Sequence, residues 1–228
     1  MHNRKISFYF AFKSTFNMNN NTNIEDLKHI RSMMERSSKF LSLSGFSGIA
    51  AGTIALAGAA IAYFVVFKQG MVKYDEYMRA LGGWSTASIR IQMAILAISV
   101  LVCAVGAAWY FSLRKAKRAG TRLWTSTARR TLYHFMIPLT TGGIFCIGLV
   151  MNNDIRMLGS AMLIFYGLAL VNSGKYTVDE VHYLGLSEIA LGILAGFFLN
   201  YGLLFWAFGF GVMHIVYGIR MYYKYDRR

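Results

Sequence analysis

Residues 182–221 read HYLGLSEIALGILAGFFLNYGLLFWAFGFGVMHIVYGIRM. The run is apolar enough to cross a bilayer, yet at ~20 residues per crossing it is too long for one membrane helix. Asn200, Tyr201 and Gly202 offer a polar, flexible place to turn back, so the stretch predicts a helical hairpin with its tip near Tyr201. In such a hairpin, residues equidistant from the tip lie at similar depth on the two helices. Glu188 and His214 each stand thirteen residues from Tyr201 and are therefore level with one another. The same count levels His182 with Arg220 at the open end. Depth follows from this counting, whereas rotation about each helix axis does not.

The rest of the chain matches that reading. Of its 228 residues 56% are hydrophobic and only 15% charged, and the mean hydropathy is positive at +0.41, the composition of an integral membrane protein. A net charge of +14 raises the question of nucleic acid. Nucleic-acid binding needs bases interleaved with aromatics on a soluble surface. Here the bases stand in blocks between apolar runs, so no nucleic-acid partner is expected. Lys and Arg in such blocks hold loops on the cytoplasmic side, where anionic lipid headgroups attract them.

Outward from the hairpin, four further spans are expected at about 46–67, 89–113, 132–151 and 157–171. The prediction is an all-α, polytopic protein with a six-helix transmembrane domain over 44–221 and a basic tail over 222–228. With the N-terminus inside, the cytoplasmic segments hold 19 of the 24 Lys and Arg residues, which sets both termini cytoplasmic. A plasma (inner) membrane location fits this bias. The inner block, Arg114, Lys115, Lys117, Arg118, Arg122, Arg129 and Arg130, contains no acid and is assigned to lipid headgroups. Gly120 is expected to break the helix within it. Pro138, the only proline, predicts a kink whose freed backbone groups the hydroxyls of Thr140 and Thr141 satisfy.

Before the first span, Thr22 and Glu25 fit a capping box, and Ile24, Leu27, Ile30, Met34 and Leu41 recur at helical spacing among bases. An amphipathic helix over 22–43 on the inner leaflet follows. Residues 1–21 read as a disordered tail, with Met18 as a candidate true start. Trp84, Tyr74 and Tyr77 place an interfacial loop after the first span.

Ser44, Gly48 and Gly52 fall four apart, as do Gly192 and Gly196, and small residues at that interval let helix backbones approach closely. Packing within one chain is the simpler use of the interval, and self-association as a homodimer is the sharper one. Cys103 and Cys146 lie at different depths and are not expected to pair.

An ionisable residue inside a span is costly and is a functional candidate by default. Glu188, His214, His134 and His182 all gather in the cytoplasmic third of the predicted bilayer. Three uses compete. The pair Glu188 and His214 can act as structural glue across the hairpin. It can exchange protons or cations, because burial favours both neutral forms while proximity favours the charged pair. The four residues together can hold a metal, but no HExxH, CxxC or HxxxH spacing fixes two ligands on one helix, so no metal and no cofactor is assigned. No phosphate loop, nucleophile elbow or aspartate cluster indicates an enzyme. The function expected is permeation of protons or small cations. The alternative is a non-enzymatic membrane partner that binds another protein through its basic loop and N-terminal helix.

Overall fold

The computed structural model describes residues 43–66 and 87–227. The expected tail 1–21, all but the last residue of the amphipathic helix 22–43, and the loop carrying Tyr74, Tyr77 and Trp84 lie outside the described residues. Every regular element within them is helical. α1 is Gly45–Ile61 and continues as a π-helical turn, Ala62–Val66. α2 is Ala87–Arg118 and α3 is Ser126–Met151. A 3-10 turn, Ile155–Met157, leads into α4, Leu158–Gly174. α5 is Asp179–Phe197. After a second 3-10 turn, Leu199–Tyr201, α6 runs as Gly202–Trp206, a π-helical stretch Ala207–Met213, an α-helical stretch His214–Met221 and a final π-helical stretch Tyr222–Asp226.

The chain is an integral membrane protein, and among the described residues five runs are long and apolar enough to cross a bilayer: Gly45–Val65, Arg90–Arg118, Ser126–Met151, Ile155–Gly174 and Leu199–Asp226. α5 stands outside that set because Asp179, Glu180, His182 and Glu188 interrupt its apolar sequence. The hairpin turn itself falls at the expected tip, with Gly202 opening α6.

Helix ends follow local chemistry. α2 extends past the expected boundary to Arg118, where Lys115, Lys117 and Arg118 in its last turn suit the negative end of the helix dipole. Gly120 then takes φ +64°, a left-handed conformation that glycine adopts without strain. The Thr125 side chain accepts from the Ala128 N–H and starts α3. The basic block is thus mostly helical, and only Arg122 lies in the connection. Asn153, at φ 63°, makes the turn into α4, and Arg90 Nη2 donates to its Oδ1 at 2.6 Å.

Pro138 cannot donate to the His134 carbonyl one turn earlier. The structure corrects the expected remedy: Thr141 donates to the Ile137 carbonyl at 2.9 Å, while Asn172 Nδ2 of α4 reaches the His134 carbonyl at 2.8 Å. An interhelical amide replaces the missing bond.

Glycine seams set the packing. A Cβ on Gly52 would stand 2.6 Å from the Gly211 carbonyl oxygen, and one on Gly48 would stand 3.1 Å from Gly218 Cα, so α1 lies backbone to backbone on α6. On the other side of the hairpin, a Cβ on Gly192 would meet Ile164 N at 2.9 Å and one on Gly196 would meet Ser160 Oγ at 3.2 Å, which seats α5 on α4. Both small-residue intervals are used within one chain. α2 packs on α1 and α3 on α4, leaving Ile95, Ile98, Val102 and Val105 of α2 exposed, as a lipid-facing helix requires.

Gly52→Ala forces the α1 and α6 backbones apart and lowers stability by about 1–3 kcal/mol. Gly106→Ala, where an added Cβ meets nothing within 4 Å, raises it by up to ~1 kcal/mol. Unfolding in detergent micelles followed by circular dichroism checks both. Wild-type stability of Gly52→Ala would remove close backbone approach as the organising contact.

Candidate functional site

Leu184, Glu188, Gly192 and Ala195 recur at helical spacing on the buried stripe of α5. The Glu188 carboxylate therefore points where leucine and glycine point, into the bundle, and its exposure is 0%. Space for it comes from α6, because a Cβ on Gly209 would collide with Glu188 Oε2. Gly209 belongs to the π-helical stretch Ala207–Met213, and such widened turns recur at functional sites.

His214 follows that stretch. Its Nδ1 stands 3.4 Å from Glu188 Oε1 and 3.1 Å from the Gly209 carbonyl, and its Nε2 stands 2.8 Å from the Tyr166 hydroxyl of α4. A carbonyl only accepts, so Nδ1 carries a hydrogen, and the neutral ring receives the Tyr166 O–H at Nε2. The Phe210 ring, 5.9 Å from the imidazole and 19° from parallel, closes one side. Among the described residues neither Glu188 oxygen has a hydrogen-bond partner, although His214 lies within ion-pair distance. Three helices thus supply one buried carboxylate, one imidazole and one phenol.

The other two candidates lie elsewhere. The His134 ring stacks on Tyr176, with centroids 4.8 Å apart, and His182 packs against Gly174 of α4. Equal depth does not pair His182 with Arg220, which instead approaches Glu180 at 3.8 Å. Among the described residues no three His, Cys, Asp or Glu side chains come together. Cys103 and Cys146 are free thiols.

Measured against known protein families, characterised proteins and solved structures, this chain matches none. Its geometry alone carries the functional reading.

Two carboxylates that sequence reasoning missed organise the end of the bundle where α6 finishes. Glu180, 2% exposed, accepts from Lys224 Nζ at 2.7 Å and from the Tyr225 hydroxyl at 2.9 Å. Asp226 Oδ2 accepts from the Gly45 N–H at 2.8 Å and the Ser44 hydroxyl at 3.0 Å, capping α1 from outside, while its Oδ1 stands 2.7 Å from Lys115 Nζ. Lys115 also donates to the Leu43 carbonyl at 2.8 Å. This corrects two expectations. Lys115 is part-buried and ion-paired with Asp226, and 222–226 is a docked helical turn that belongs to the bundle. Arg114, Lys117, Arg118, Arg122, Arg129 and Arg130 remain exposed. A signal for Glu180 was present: counting from Tyr201 levels it with Tyr222, within two residues of Lys224. Nothing in the apolar run of α4 singled out Tyr166.

Tyr166→Phe leaves His214 Nε2 buried without its partner and costs about 1–3 kcal/mol. Tyr110→Phe on the exposed face of α2 stays within about 0.5 kcal/mol of wild type. Thermal unfolding in micelles separates the two, and equal effects would mean that the phenol contributes nothing at the site.

Proposed function

We infer that this is a six-span protein, with both termini cytoplasmic in a plasma (inner) membrane, that lets protons or small cations cross the bilayer by way of Glu188 and His214. The observation that carries the reading is a carboxylate at 0% exposure, with both oxygens lacking hydrogen-bond partners among the described residues, beside an imidazole linked to a second titratable group. A purely structural pair gains most when its lone pairs are satisfied. This one leaves acceptor capacity open, as a group that takes up and releases a proton needs.

The hydrogen-bond roles allow that exchange without moving a helix. With both groups neutral, Glu188 holds the proton and Tyr166 donates to Nε2. With both charged, Glu188 has released its proton and Nε2 has gained one from a separate donor, because Nδ1 already carries a hydrogen and blocks direct transfer; Nε2 then donates to the Tyr166 oxygen and the carboxylate faces the imidazolium. The Gly209 carbonyl accepts from Nδ1 in either state. The close packing supports a small permeant over a bulky one. A cavity of about 290 Å³ between α1 and α6, lined by Leu56, Ala60, Tyr63, Asn200, Leu204 and Ala207, includes neither Glu188 nor His214.

Orientation rests on charge. Among the described residues, the end of the bundle that holds the α2–α3 connection, Lys175 and the end of α6 carries most of the bases, whereas Arg90 and Arg156 are those at the other end. The six exposed bases of 114–130 support the second reading, a membrane partner that engages another protein or anionic lipid at its inner face. A homodimer is compatible with either reading.

Proton flux into liposomes under an imposed potential tests the first reading. Wild-type protein conducts, Glu188→Gln falls at least tenfold toward the empty-liposome rate, and His214→Gln falls with it. Equal flux in wild type and folded Glu188→Gln would reject the pair as the conducting element and favour the partner reading.

A further inference from the structure

We propose that Glu188 is reached from the end of the bundle where α6 finishes, along the seam between α5 and α6, and that Leu184 and Met221 form the apolar barrier closing this route. The proposal rests on the functional reading of Glu188 given above and adds the path by which water and protons arrive.

The two helices present a ladder of facing groups. On α5, Glu180, Leu184, Ser187 and Glu188 share one face at helical spacing, and on α6 Lys224, Met221, Tyr217 and His214 share another. The outermost rung is Glu180 with Lys224 and Tyr225. It stands at the water boundary, since Arg220 and Lys224, the two cations that face Glu180, are 67% and 50% exposed. The innermost rung is Glu188 with His214. About 12 Å of helix separates the two carboxylates.

Between them lies one polar rung and one apolar rung. Ser187 donates its hydroxyl hydrogen to the Tyr183 carbonyl at 3.0 Å, so in its 3.2 Å contact with the Tyr217 hydroxyl it is the tyrosine that donates. This hydroxyl pair stands next to Glu188 in sequence and one turn from His214. Leu184 and Met221, 7% and 5% exposed, belong to a single buried cluster with Leu170, Val178 and Val181. Tyr166, which is bonded to His214, and Tyr217 pack on that cluster, as do Leu43 and Tyr225, which is bonded to Glu180. The polar series along the seam is thus continuous except at one layer, and that layer is wholly hydrocarbon and thioether. Methionine is suited to such a layer, because its unbranched side chain changes rotamer without displacing the backbone.

Chemical access to Glu188 tests the route without relying on flux. Full-length protein in liposomes is treated with a water-soluble carbodiimide and glycinamide, and amide formation is read at Glu188 itself from fragment masses. In wild type the apolar layer keeps Glu188 at a low labelling rate. Leu184→Ala and Met221→Ala, which thin the layer from opposite helices, each raise that rate at least tenfold. Ile164→Ala opens a similar space on the far side of α5, against Gly192, and leaves it within twofold of wild type. Circular dichroism and monodisperse elution establish folding, and either plug variant alone suffices if the other fails to fold. No rise in a folded plug variant, or an equal rise in Ile164→Ala, overturns the proposal. Because labelling is independent of conduction, the route can stand if flux is absent and can fail if Glu188-dependent flux is present.

Discussion

Lipid tails are as apolar as leucine, so helices in a bilayer gain little by hiding hydrocarbon and must be held by close contact. Here that contact is backbone on backbone at two seams, α1 on α6 through Gly48, Gly52, Gly211 and Gly218, and α5 on α4 through Gly167, Gly185 and Gly192. Everything polar in the interior depends on these seams. With α4, α5 and α6 drawn together, Tyr166, Glu188 and His214 fall within hydrogen-bond or ion-pair reach. The absence of a side chain at Gly209 leaves the space that the carboxylate fills.

The two ends of α5 treat their acids differently. Glu180 is buried yet fully engaged, with Lys224, Tyr225 and Arg220 around it, and behaves as a structural anion. Glu188 is buried and under-satisfied. In a chain with ten acidic residues against 24 basic ones, carboxylates are scarce. Glu180 and Asp226, at the α6 end, are matched to lysines, and Glu188, in the middle, is matched to a histidine. That contrast makes Glu188 the functional candidate and Glu180 part of the frame.

Hairpin, depth and tip were legible because they need only residue counts, and counting alone brings Glu188 level with His214. Rotation was hidden for a physical reason. In a soluble helix, polar residues mark the outer face, but on α2, α4 and α6 the lipid face and the protein face are equally apolar, so no periodicity separates them. For the same reason the glycine intervals were visible while their partners were not, and nothing marked Tyr166 within its apolar run. The basic block hid Lys115 among identical neighbours. What singles it out is Asp226 at the far end of the chain, where sequence spacing carries no information. Pro138 frees the His134 carbonyl, and the group that reaches it comes from the next helix, where spacing along α3 could not point.

The cap on α1 has a consequence for how the protein is made. Ser44 and the Gly45 N–H receive their acceptor from Asp226, 182 residues downstream of Ser44. Translation delivers α1 to the membrane long before α6 exists, and neither its cap nor its glycine seam can form in the interval. α4 and α5, joined by a short connection, can associate as soon as both have emerged. The first helix, which can pack on α2 early, is therefore capped and sealed along α6 only after the last helix has been synthesised.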